Sequence, residues 1–155
     1  MVKILVLGLG NELLADDAVG LLIIRELANE YKGQAELVEC TVSGLALLEY
    51  FVDFEKAIIV DSINTGKQPA GSIYELAPAD LGEVYAPSPH YTGLPEMMAL
   101  AKQLELQFPE DIKIFAMEIA DPYTIGGSLT QSVSMAMEGL KMKILKQLSV
   151  WESVG

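Results

Sequence analysis

Cysteine and histidine each occur once in the 155 residues, and basic residues number 10 against 22 acidic ones. The lone cysteine, Cys40, rules out an internal disulfide and any cysteine-built metal cluster, and fits a reducing compartment. A net charge of -12 argues against nucleic-acid backbones and anionic membranes as partners. Long apolar runs are missing as well: residues 2–7 are aliphatic but carry Lys3 and lead into glycines, too short for a signal h-region or a membrane span. The expected location is the cytoplasm. Absent too are internal repeats, low-complexity tracts and blocks of like charge.

Several familiar loop motifs fail. Gly8-Leu9-Gly10 begins like a dinucleotide fingerprint, but the third glycine would fall at Leu13, so no nucleotide cofactor is expected. No GK[ST] follows to make a phosphate loop, and neither a G-x-S-x-G elbow nor HExxH is present.

What is there reads as one domain over residues 1–155. Short aliphatic runs at 2–7, 35–40 and 56–61 suit buried strands. Helical spacing fills 17–32, 43–51, 94–106 and 130–148, with Ser43 placed to cap the second helix. Residues 72–77 alternate polar and apolar after the turn-rich NTGKQPAG; so short a connection predicts an antiparallel neighbour. Residues 111–119 read as the last strand. The pattern predicts a three-layer α/β/α sandwich: a mostly parallel five-stranded sheet with one antiparallel strand and helices on both faces. Val133, Met137, Leu140, Ile144 and Leu148 form the buried stripe of the closing helix, and Met97, Met98 and Met137 are core filler.

The first twenty residues, MVKILVLGLGNELLADDAVG, organise the rest. In open α/β sheets ligands bind beyond the carboxyl ends of the strands, and Asn11, Glu12, Asp16 and Asp17 follow the end of the first. The third strand ends in Asp61, and His90 lies in a Pro-flanked loop before a helix. Asp16 or Asp17, with Asp61 and His90, make a mixed set of oxygen and nitrogen donors that suits nickel or zinc better than magnesium or calcium.

Each residue has a plainer alternative. Asp16 is placed to cap the first helix, in which case Asp16→Asn keeps its stability. Asp17 either complements the helix dipole or is a ligand; a second acid exceeds what capping requires. Asp61 is a turn residue or a ligand, and the following SINTG already supplies turn formers. His90 is an inert surface residue or the nitrogen ligand, and Cys40 a small buried hydrophobe. Paired acids and an Asp ending the third strand also suit a non-catalytic receiver-like or metal-sensing module. Receivers, however, carry a lysine where this chain has MEIADP, 117–122.

Together GLGNELLADDAVG, IIVDSINTG and SPHYTGL resemble the hydrogenase maturation proteases, over nearly the whole chain. The resemblance implies an aspartyl endopeptidase that removes the C-terminal tail of a nickel-iron hydrogenase large-subunit precursor. It implies Asp17, Asp61 and His90 as the catalytic and metal-binding residues, and nickel carried by the precursor rather than by the protease. Many relatives have Glu where this chain has the shorter Asp17. Relatives often carry an acid and paired glycines after the second strand; here that stretch is Glu39-Cys40-Thr41. Whether the metal or a carboxylate activates water stays open at this point. A monomer is expected.

Overall fold

The computed structural model describes residues 2–80 and 94–154. Five strands form one sheet: β1 (Ile4–Leu9), β2 (Glu36–Cys40), β3 (Lys56–Ile63), β4 (Ile73–Leu76) and β5 (Asp111–Glu118). Among the described residues four α-helices join them: α1 (Val19–Glu30), α2 (Leu48–Phe51), α3 (Leu94–Gln103) and α4 (Gln131–Val154). The order across the sheet is β2-β1-β3-β5-β4, with only β4 antiparallel to its neighbour among these strands. This is the expected architecture.

Side-chain alternation sorts the strands onto two cores. Val6, Ile58 and Val60 pack with Val19, Ile23 and Leu27 of α1 and with Val133, Leu140 and Ile144 of α4. Leu5, Leu7 and Ile59 face the other way, against Leu47, Phe51, Leu94 and Met97. β1 is buried along its whole length because both its faces are covered. By the same alternation Asp61 belongs to the face of Ile59 and Ile63, and Ser62 to the face of Val60.

Three local expectations give way. β3 runs on through Ser62 to Ile63 instead of ending at Asp61. The second helix begins as a 3-10 turn, Gly44–Leu47, and Ser43 makes no side-chain capping bond there. β4 is antiparallel as expected, but it pairs with β5, which lies between it and β3. The connection after β3 therefore crosses the end of β5, where Glu118 accepts bonds from the N–H groups of Thr65 (2.7 Å) and Gly66 (3.2 Å). A buried carboxylate fixes the crossing.

Two glycines bring α1 onto the sheet. A Cβ on Gly8 would lie 2.1 Å from the carbonyl oxygen of Gly20, and one on Gly20 2.0 Å from that of Leu9. The GLG sequence thus serves close helix-strand packing. No described helix is long and apolar enough to cross a membrane.

The chain leaves β1 for β2 on one side and reaches β4 and β5 on the other side of β3. The carboxyl ends of β1 and β3 consequently flank the point where strand order reverses, the usual ligand crevice of such sheets.

Candidate active site at the reversal of strand order

After β1 the chain turns sharply. Asn11 accepts the Leu13 N–H on its side-chain oxygen (3.0 Å), and its own N–H reaches the carbonyl of Asp17 (3.2 Å). Gly10 permits that approach, since a Cβ there would sit 2.3 Å from the Asp17 carbonyl oxygen. Ala15 takes a positive φ of 30°, a conformation that costs about 1–3 kcal/mol in a non-glycine residue and persists only where surroundings impose it. A 3-10 turn, Ala15–Ala18, then carries both acids into α1.

The two acids do different things. Asp16 is fully buried and makes no helix cap, which corrects the expectation for it. It reaches instead to the loop before α4. Its carboxylate accepts the N–H of Ala120 (3.0 Å), of Asp121 (2.9 Å) and of Thr130 (2.7 Å), and the Thr130 hydroxyl (2.8 Å). Its own N–H donates to the Asp121 carbonyl at 2.9 Å. Three of these donors fall on Oδ2 and one on Oδ1, so both oxygens are engaged inside the protein. Asp17 is half-buried. Ser62 Oγ donates to its Oδ1 at 2.6 Å.

Asp61 is fully buried, and the Ser62 N–H donates to its Oδ1 at 2.7 Å. One residue thus bonds both candidate acids. Ser62 was missed in the sequence, where SINTG reads as turn formers; the available signal was a hydroxyl between Asp61 and Ile63 at the end of an aliphatic run. His90 lies outside the described residues. Among the described residues no group of three or more His, Cys, Asp and Glu is arranged to hold a metal ion.

Glu118 was also missed. Burial alone would raise its pKa, yet hydroxyls from Thr65 and Tyr74 and the N–H groups of Gly66 and Thr65 hold it below the ordinary carboxylate value. Its bonds tie the loop after β3 to β5, so it stands behind the strand that carries Asp61.

The rim of this edge combines paired charge with exposed apolar side chains. Arg25 of α1 bridges Glu12 (2.7 Å) and Glu39 (2.8 Å), so the Glu39-Cys40-Thr41 variant keeps its acid engaged. Cys40 is buried as expected, and its carbonyl accepts the Gly10 N–H at 3.3 Å. Leu13, Leu45, Tyr123 and Ile125 are 62%, 63%, 78% and 80% exposed. Two of their loops are joined: Leu14 bridges Ile125, and the Gly126 N–H donates to the Leu13 carbonyl at 2.7 Å.

Known proteins share this frame. The sequence profile of the HycI hydrogenase maturation protease family matches residues 21–147. The hydrogenase 2 maturation protease of Escherichia coli (strain K12) is 29% identical over 152 residues, 94% of this chain and 90% of the relative. The hydrogenase expression/formation protein HoxM of Cupriavidus necator is 30% identical, over 96% of this chain and 75% of the relative. Among solved structures, the hydrogenase maturating endopeptidase HybD from E. coli superimposes with a TM-score of 0.78 at 26% identity, covering 95% of this chain and 92% of that one. A profile spanning most of the chain leaves the receiver-like alternative behind: the protein belongs to the hydrogenase maturation protease family.

Proposed function

We propose that this protein is the endopeptidase that removes the C-terminal tail from a nickel-loaded nickel-iron hydrogenase large-subunit precursor, and that Asp17, Asp61 and His90 bind the precursor's nickel. The observation that carries the reading is the hydrogen bonding of Asp17 and Asp61 to a single residue, Ser62, beside the reversal point of the sheet. Asp17 supports it further, because its Oδ2 makes no hydrogen bond among the described residues. Asp16, by contrast, is fully buried with both oxygens hydrogen-bonded.

The nickel belongs to the substrate. Precursor thiolates hold it, and the two carboxylates and the His90 imidazole complete its shell, a mixed donor set of the kind nickel accepts. Bound there, the ion supplies Lewis acidity to the scissile carbonyl or to water. The chain's residues do the orienting. Asp17 and Asp61 fix the ion at the strand ends and bring the tail into the crevice; recognition and metal capture become one event. Three ligands drawn from separate segments of the chain bind a free ion weakly compared with a closed four-ligand site, so the protease acts on the loaded precursor and owns no permanent metal. Leu13, Leu45, Tyr123 and Ile125 around the crevice fit a protein substrate, since apolar side chains grouped on a surface mark contact sites. We assign the reaction to the cytoplasm, with the protease acting as a monomer.

The test compares tail removal from nickel-loaded and nickel-free precursor by the purified protein and by His90→Ala. The wild type cleaves the loaded form only, and His90→Ala binds the loaded form less tightly while keeping its melting temperature. Equal cleavage of both forms by the wild type rejects the nickel-gated reading.

A further inference from the structure

We infer that Ser62 is a positioning residue for the cleavage reaction: its hydroxyl locks the Asp17 carboxylate into the orientation that offers the other oxygen to the substrate's metal. This rests on the function proposed above and deepens it. Ser62 is 5% exposed and lies in β3 beyond Val60, the last residue that pairs with β1. Its side chain falls on the face of β3 opposite to that of Asp61, yet its two donors serve both acids. The N–H holds Asp61 Oδ1 at 2.7 Å and the hydroxyl holds Asp17 Oδ1 at 2.6 Å. The strand itself thereby sets the relation between the two carboxylates.

Chain length explains why Asp17 needs this contact. An aspartate carboxylate is only one methylene from the backbone, so its reach is set by a single rotation about χ1. The half-buried Asp17 side chain makes no other hydrogen bond among the described residues. Without the hydroxyl its χ1 rotation is restrained only by packing. A hydrogen bond to a charged group, at the short distance seen here, is of the stronger kind, and it selects one rotamer. The serine hydroxyl then has its donor committed to Oδ1, while Oδ2 is left without a hydrogen bond among the described residues.

The experiment uses Ser62→Ala, which keeps the N–H to Asp61 and removes the hydroxyl, and Ser62→Thr, which restores a hydroxyl in a β-branched residue suited to a strand. Three readouts separate positioning from simple stabilisation. With nickel-loaded precursor, Ser62→Ala lowers kcat about tenfold and leaves KM within about twofold, the pattern of an interaction felt mainly in the transition state. Ser62→Thr recovers at least half of the wild-type kcat. Independently of activity, the three-bond NMR couplings that report Asp17 χ1 show one rotamer in the wild type and in Ser62→Thr, and averaging in Ser62→Ala. Unchanged couplings in Ser62→Ala overturn the inference, and so does a Ser62→Thr variant as slow as Ser62→Ala. A wild type that cleaves no precursor defeats the functional reading instead, and the couplings still judge the role of Ser62.

Discussion

Asp16 and Asp17 are neighbours in sequence and opposites in use. Asp16 is sealed from solvent with four donors on its carboxylate, whereas Asp17 is half-buried with one donor on one oxygen. The difference teaches how the site is built: one acid uses both of its oxygens to lock two loops together, so the next can keep an oxygen uncommitted. A 3-10 turn makes this possible, since consecutive residues on it point in different directions.

The largest effect that would sharpen the contrast is chemical. Asp17→Asn and Asp61→Asn each remove a charge from the proposed metal-binding pair, and each should lower kcat/KM for tail removal roughly a thousandfold, about 4 kcal/mol in the barrier. For Asp17→Asn the melting temperature should stay close to wild type, because only one hydrogen bond is altered. Steady-state kinetics with thermal melts on the same samples provide the check. Normal turnover by Asp17→Asn would remove Asp17 from the site.

Asp16 should show the reverse. Asp16→Ala leaves the N–H groups of Ala120, Asp121 and Thr130 and the Thr130 hydroxyl without their acceptor, a loss of about 3 kcal/mol once water reaches some of them. For a chain of this size that is roughly 6–12 °C in melting temperature. Asp16→Asn should also destabilise, since its NH2 would face N–H donors; a simple helix cap would tolerate that change. Calorimetry that finds Asp16→Asn as stable as wild type breaks the comparison.

How much of this was legible follows from the range of the interactions involved. The layers, the sheet and the stripe of α4 were readable because period-2 and period-3.6 patterns are local. The two acids and Asp61 were singled out by position at strand ends. What stayed hidden depends on distant partners: Asp16 finds its donors 104 to 114 residues away, and its local context imitates a cap. Ser62 reads as a turn residue until β3 is seen to continue through it. Glu118 reads as the polar end of a strand until β5 is found between β3 and β4, with a loop to be held down across it.

Glu118 extends the contrast to a second structural carboxylate, with a pH signature. Its pKa is lowered in the fold from an ordinary 4.5. The stabilisation is therefore complete above about pH 4.5 and is lost as pH falls through the lowered folded value. Glu118→Gln abolishes that titration. Its melting temperature should be lower than wild type at pH 7, by the few degrees expected of about 1–2 kcal/mol, and the gap should narrow as the pH drops below 4.5. A gap that widens in acid would mean that Glu118 is held in its neutral form.

The smallest effect belongs to the rim, and it separates substrate contact from both kinds of carboxylate. Ile125 is 80% exposed on the loop that Asp16 holds in place, and Leu13 is 62% exposed on the partner loop. Ile125→Ser removes apolar surface that already faces solvent, so the melting temperature should move by less than a degree or two. If the precursor covers this rim, the same change forfeits burial of a branched aliphatic side chain, on the order of 1–2 kcal/mol, and KM should rise about five- to thirtyfold with kcat nearly constant. Leu13→Ser should act in the same direction, and the double variant should fall short of the sum because the two loops are joined by the Leu14–Ile125 bridge. If Ile125→Ser lowered kcat instead, its loop would be acting through the Asp16 clasp on Asp17, and the division between the acid that locks and the acid that works would have to be redrawn.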